Sequence, residues 1–377
     1  LENLKRGAFV RRVIRQTLFK TAFLTSIVVA CWLASIPTTF ARERDWQPQR
    51  TWVFIVGILK WEDPKTFPSF PQANRRDAQL ADFFRREGVP SNQLVYLQDA
   101  QATTRRVRER FTQMLSQSRE GDLLFVYFTG HGYKSDDERT TFFATYDAGG
   151  NRNGWSTESI VSAINGRFRG SRVLLTADGC YSGELGNDAR RLDARISYAA
   201  LTSATGEQTS TENWTFTEML LASLRGNSYA DLDGDGDVTL REIAENERRD
   251  MAFAEEQQVL FAARGLSHDS VMANAKPATN SSVGRRVVVR SEGDWYKGRV
   301  IDAKGNRLRV HYFGYEDSDD EWVLARQIRE NRGAELLNTG EWERPGRQFG
   351  RVDGWVGNAA SQPATTTRNG WLITPIN

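Results

Sequence analysis

The sequence predicts an α/β protein: a mostly parallel sheet flanked by helices, followed by a small all-β barrel. Three observations predict it. Apolar, β-branched runs alternate with segments of helical period from Trp52 to Ala262. That βαβα order gives parallel strands, because each return of the chain needs a crossover helix. After a breaker-rich stretch at residues 276–282, the pattern changes to short strands and tight turns.

Residues 52–58 are the first apolar run and read as the first strand. Residues 74–86 place Ala78, Leu80, Ala81, Phe83 and Phe84 at helical spacing, and Gly88 stops the helix. A short strand follows at residues 94–97. In residues 103–115, Val107, Phe111 and Leu115 stand at i, i+4 and i+8. Residues 123–128 and 172–177 are the next two strands, separated by a helical segment at 156–165. Residues 198–203 and 259–262 complete the series. One domain is therefore expected at residues 48–275, a linker at 276–283 and the barrel at 284–330. The barrel strands are expected at 286–289, 295–300, 307–312 and 321–323. Residues 331–377 carry Gly, Pro and Thr with isolated Trp342, Trp355 and Trp371, and read as an irregular tail. No internal repeat stands out.

At 377 residues the chain has room for two or three domains. Its net charge of +2 gives no drive toward nucleic acid, and none is expected as a partner. Two cysteines, Cys31 and Cys180, and three histidines, His131, His268 and His311, are too few for a zinc cluster or a disulfide scaffold. Near the N-terminus, Lys5, Arg6, Arg11, Arg12, Arg15 and Lys20 precede an apolar stretch at 21–36. Thr39, Phe40 and Ala41 then resemble a cleavage site. Residues 1–41 are thus expected to be a signal peptide or an uncleaved membrane anchor. The protein is expected to be exported, periplasmic or extracellular, or held at the membrane by that segment alone. With the signal removed, Cys180 is the sole thiol, and a lone thiol in an oxidising compartment is either inert and buried or reactive.

Two strands end in chemistry. Residues 123–128 run into Thr129-Gly130-His131-Gly132, and residues 172–177 into Asp178-Gly179-Cys180-Tyr181-Ser182-Gly183. In open α/β sheets, ligands and reactions collect at the carboxyl ends of strands. Cysteine attacks as thiolate, and an imidazole can take its proton. His131 stands 49 residues before Cys180. Gly132 and Gly183 permit close backbone approach, and the amides of Gly132 and Cys180 are the expected oxyanion donors. Alone, His131 reads equally as a structural histidine and Cys180 as a small buried side chain; their pairing at two strand ends selects the catalytic reading. Asp178 brings a carboxylate close to the cleft, where it attracts a basic side chain.

These two blocks resemble the signatures of the caspase/metacaspase superfamily, most closely its bacterial caspase-like cysteine peptidases. The resemblance covers residues 50–265. It implies a caspase-like fold and peptide-bond hydrolysis, with Cys180 as nucleophile, His131 as general base and a protein or peptide as substrate. It also implies cleavage after Arg or Lys. Metacaspases draw a second acidic residue from an Asn-Asp-Ala-like block, which Asn74-Arg75-Arg76-Asp77-Ala78 resembles, nominating Asp77. Thr129 stands where metacaspases usually carry Ser, and joins Asp77 and Asp178 as a substrate-binding candidate. Arg75 and Arg76 depart from the family spacing. The plainer readings are helix-terminus electrostatics for Asp77 and turn capping for Asp178. Two other functions stay open. One is a catalytically silent caspase-fold scaffold whose barrel binds a partner; the other is esterase or transpeptidase chemistry on the same dyad.

Residues 231–242 fit the twelve-residue EF-hand pattern. Asp231, Asp233, Asp235, Thr239 and Glu242 stand at positions 1, 3, 5, 9 and 12, with Gly236 at 6 and the Asp237 carbonyl at 7. Ca²⁺ is the expected ion, and no organic cofactor is expected. No second loop is visible to pair with it, and a solvated acidic turn is the plainer reading. Residues 284–329 resemble the Tudor/chromo-like barrels, of SH3/Tudor type, through Val287, residues 295–300, residues 310–315 and residues 321–323. The resemblance implies a ligand for the C-terminal barrel. Its aromatics either surround a cation or fill a small core.

Overall fold

The computed structural model describes residues 42–149, 153–192, 195–291 and 293–330, with two short stretches at 365–366 and 372–375. The expected signal or anchor at 1–41 and most of the tail lie outside the described residues. Among the described residues, no helix is long and apolar enough to cross a membrane.

The chain opens with β1 (Thr51–Gly57), α1 (Arg76–Arg86), β2 (Leu94–Gln98), α2 (Thr104–Gln117) and β3 (Leu123–Thr129). A small three-stranded excursion follows: β4 (Gly132–Lys134), β5 (Thr141–Phe143) and β6 (Trp155–Ser156). Then come α3 (Thr157–Arg167), β7 (Arg172–Asp178), α4 (Glu184–Arg191), β8 (Ser197–Thr202) and α5 (Thr215–Leu224). The domain closes with β9 (Asp237–Thr239), α6 (Leu240–Asp250), β10 (Leu260–Arg264) and β11 (Val271–Asn274). In the central sheet the strands run β10-β8-β7-β3-β1-β2. All of its neighbours are parallel except β10, which is antiparallel to β8.

Both faces of this sheet are covered, so its strands are apolar on both sides. Trp52, Phe54 and Val56 of β1 pack on one face with Val107 and Phe111 of α2 and Ile160 and Ile164 of α3. Val53 and Ile55 pack on the other, with Leu80 and Phe84 of α1 and Phe216 and Leu220 of α5. Local signals set the helix ends. Thr103 and Ser156 cap α2 and α3 through their hydroxyls, and Thr239 and Glu242 form a reciprocal capping box at α6.

The C-terminal module is an antiparallel half-barrel. Its strands are β12 (Arg286–Ser291), β13 (Asp294–Lys304), β14 (Arg307–Tyr312), β15 (Glu321–Leu324) and β16 (Ile328–Glu330). They run in the order β15-β14-β13-β12-β16. Val287, Val289, Val300, Val310 and Val323 fill its core. The irregular tail expected from composition is corrected where it is described. Strands β17 (Thr365–Thr366) and β18 (Leu372–Pro375) extend the central sheet, β18 pairing antiparallel with the otherwise open edge of β10.

The half-barrel is tied to the first domain by charge. Asp250, at the end of α6, accepts Arg286 Nε at 2.7 Å and also Arg299, and all three side chains are 5% exposed or less. Removing one member of such a cluster strands buried charge. Asp250→Asn is therefore expected to cost about 3–5 kcal/mol, read as a lowered urea midpoint; a change within error would refute the clamp.

Candidate active site

β3 and β7 are adjacent and parallel, and Thr129 lies opposite Asp178 in register. The residues just beyond the two strands therefore leave the sheet at the same edge. His131 and Cys180 both line one cleft of about 220 Å³ there. The two turns fit together only because glycines make them. A Cβ on Gly132 would lie 2.0 Å from the Cys180 carbonyl oxygen, and one on Gly179 would lie 2.4 Å from that of Gly130. Tyr181, next to the thiol, has φ of +55°, a left-handed conformation that side chains rarely adopt.

His131 is fixed by its surroundings. Its Nε2 lies 2.8 Å from the Pro68 carbonyl. A carbonyl only accepts, so Nε2 carries the proton and Nδ1 keeps its lone pair. Trp61 and Phe70 pack on the ring at centroid distances of 4.6 and 4.4 Å. Burial pulls the imidazole below its usual range, against the opposing pull of the Pro68 carbonyl, so the ring is neutral at pH 7.

Cys180 is half-buried and unpaired in any disulfide. Its Sγ accepts the Ser210 amide at 3.2 Å and lies 3.8 Å from the Ser210 carbonyl. Ser210 thus lies against the thiol. Among the described residues, no hydrogen bond joins the His131 ring to Sγ, and the Cys180 amide has no acceptor. Gly132 sits in β4 against the Cys180 carbonyl.

The nominated carboxylates divide. Asp178 lines the cleft and is almost fully buried. Its Oδ2 accepts the Thr217 hydroxyl at 2.6 Å. Burial pushes its carboxyl up to about 6, against hydrogen bonds from Thr217 and Ser203. Among the described residues no cation pairs with it. Thr129 lines the same cleft. Asp77 does not: it is fully buried outside the cleft, bound by Arg75 at 2.8 and 3.1 Å and by the Tyr96 hydroxyl at 2.8 Å. Arg75, two residues before it, has taken its carboxylate. Arg76 reaches the cleft instead, paired with Glu218 and with Asp317 of the half-barrel, each at 2.7 Å. The sequence offers no signal for Pro68, Ser210, Glu212, Tyr315 or Glu316, which long-range folding brings to the site.

The acidic loop lies elsewhere. Asp231, Asp233 and Asp235 each present a carboxylate oxygen, all within 4.8 Å of one another. Gly234 and Gly236 turn the loop at φ of +75° and +94°. Glu242 faces it, accepting the Leu232 amide at 2.7 Å. Burial, then the charge of Asp235, pushes Asp233 up. This set of hard oxygens fits a divalent cation. Asp237, nominated through its carbonyl, has its side chain held by Arg42 and Asn274, and the hydroxyl of Thr239, nominated as a ligand, donates to Glu242 at 2.8 Å. β11 pairs antiparallel with β9 beside the loop.

Arg75 and Tyr96 hold the Asp77 carboxylate in the interior. Asp77→Asn is expected to lower stability by about 1–2 kcal/mol, because Arg75 loses one of its two carboxylate partners and keeps Asp99, measured by urea unfolding, while leaving peptide preference intact. An altered preference with unchanged stability would restore Asp77 to substrate binding.

No protein-family model matches the chain, and no curated protein matches it either. Among solved structures, the chain is similar to protein GSU0716 from Geobacter sulfurreducens, at 14% identity over 60% of this chain and 98% of that one, with a TM-score of 0.44. It is also similar to caspase-1 from Spodoptera frugiperda, at 12% identity over 62% of this chain and 86% of that one, with a TM-score of 0.34. Both likenesses are remote.

Proposed function

We propose that the protein is a cysteine endopeptidase that hydrolyses peptide bonds after Arg or Lys, with Cys180 as nucleophile and His131 as base. One observation carries this reading: a thiol and an imidazole whose Nε2 is tied to the Pro68 carbonyl line one cleft at the ends of adjacent parallel strands.

The chemistry follows from the donors. Nδ1 of His131 takes the Sγ proton, and the thiolate adds to the scissile carbonyl carbon. The oxyanion is received by the free amide of Cys180 and that of Gly132. The imidazolium returns its proton to the departing amine as the C–N bond breaks, and water then hydrolyses the thioester. Substrate displaces Ser210 from Sγ, since both claim the same sulfur. Asp178 supports the basic preference. It is a buried carboxylate without a cation, and an arriving guanidinium or ammonium supplies the missing charge. The silent-scaffold reading has the absent His131–Cys180 bond on its side. Catalytic bonds in substrate-free sites are commonly long and tighten on binding, so the shared cleft weighs more.

Cys180→Ala and His131→Ala are each expected to reduce kcat/KM on an arginyl peptide by roughly a thousandfold or more; wild-type turnover in either would reject the mechanism. The acid limb has a stated sign. Asp178 binds a cation only when ionised, and its carboxyl titrates at about 6. Hence kcat/KM on arginyl substrates falls about tenfold per pH unit below that value. A limb that persists unmoved in Asp178→Asn would assign it to another group.

The acidic loop is read as a Ca²⁺ site held by Asp231, Asp233, Asp235, Glu242 and the Asp237 carbonyl. Bound there, the ion supplies charge that binds the loop onto the start of α6. Calorimetric titration with Ca²⁺ is expected to give one site in the wild type and none in Glu242→Gln. Identical titrations would discard the site.

A further inference from the structure

The cleft has a wall that the first domain does not supply. Gly314, Tyr315 and Glu316, from the loop between β14 and β15, line the same cavity as His131 and Cys180. The loop is fixed in place there. Asp317 takes Arg76 at 2.7 and 3.1 Å, and His311 Nε2 lies 3.2 Å from Glu218 Oε2. Gly314, at φ of +82°, abuts the Asn213 side chain so closely that a Cβ would lie 2.9 Å from its Oδ1. Arg76, Glu218 and Asn213 are themselves cleft residues.

The charges of this cavity are one-sided. Asp178, Glu212, Glu218 and Glu316 line it, against Arg76 and His131. Arg76 is already engaged by Glu218 and Asp317, and His131 is neutral. Glu212 and Glu316 have no ion-pair partner among the described residues. Beside Glu316, Tyr315 leaves 47% of its surface exposed, its ring set edge-on to Tyr296 at 5.7 Å. A carboxylate beside an open aromatic face suits a cation by charge and by cation–π attraction.

We infer that the half-barrel loop is a second subsite of the peptidase cleft and that it takes a basic side chain. The substrate then carries two basic residues close together, one received by Asp178 and the other by Tyr315 and Glu316. This rests on the peptidase reading.

The test uses the full chain and peptides with Arg before the scissile bond, in which each neighbouring position is in turn Arg, Ala or Glu. At one position Arg is expected to exceed Ala by roughly fivefold to tenfold in kcat/KM, with Glu lowest. Tyr315→Ala should shrink that ratio. Glu316→Lys should reverse it in favour of Glu, a gain that misfolding does not produce. A ratio identical in the wild type and both variants overturns the inference. Labelling by an arginyl chloromethyl ketone separates the two claims. Cys180 labelled with an unmoved ratio removes the subsite alone. No labelling and no cleavage of any peptide removes the peptidase reading, and the subsite with it.

Discussion

The site depends on the register between β3 and β7. Parallel strands bonded with Thr129 opposite Asp178 end level with each other. Whatever follows each strand is then delivered to one edge of the sheet, within reach of the other. A shift of one residue would turn every side chain of one strand to the opposite face, so two packed faces hold the register. Tyr127 shows how tightly: it is fully buried, and its hydroxyl meets the Thr217 hydroxyl at 2.6 Å, the same residue that serves Asp178. Beyond the strands, glycine is the only residue that lets the two turns touch, because backbone oxygens occupy the space a side chain would need.

Charge in and around the cleft is decided by which carboxylates are already matched. Asp77 has Arg75 and Tyr96, and Glu218 has Arg76 and His311. Asp178 has only neutral donors, from Thr217 and Ser203, and burial rather than a cation governs its proton. Behind it, burial holds Glu247 well above the ordinary carboxylate range, with Asp250 and Asp178 pushing in the same direction. A neutral acid there spares the interior one charge. It leaves Asp178 as the buried group in the cleft that gains most from a cationic guest.

Much of this was legible in the sequence, and the failures have a common cause. Strands buried on both faces announce themselves as continuous apolar runs, so β1, β3, β7 and β8 stand close to their expected places. The blocks around His131 and Cys180 were legible because each lies directly after such a strand. The excursion β4–β6 was not, since strands of two or three residues have no period to read. Helix α4 also passed unseen: only Leu185 and Ala189 of its eight residues mark an apolar face, with Gly186 between them. What the Asp77 carboxylate meets was not legible either, because the motif fixes a position in sequence, whereas Arg75 beside it and Tyr96 hold the carboxylate. Pro68, Ser210 and Glu316 reach the site through contacts between distant segments, which no local pattern encodes.

Helix α6 links the features that sequence alone left separate. It begins at the acidic loop, where Glu242 receives the Leu232 amide, and is buried along nearly all of its length. It ends at Asp250, which holds Arg286 and Arg299 of the half-barrel. Those two arginines lie on the paired strands β12 and β13, and β13 in turn pairs with β14, whose following loop lines the cleft. The first turn of the helix therefore sets where its last residue stands, and Asp250 sets where the half-barrel sits. Burial makes this placement stiff: a displaced Asp250 would leave two cations without a partner in a region closed to water. The half-barrel is thus positioned by the same domain whose cleft it helps to wall, and its loop is a built part of that cleft rather than a tethered neighbour.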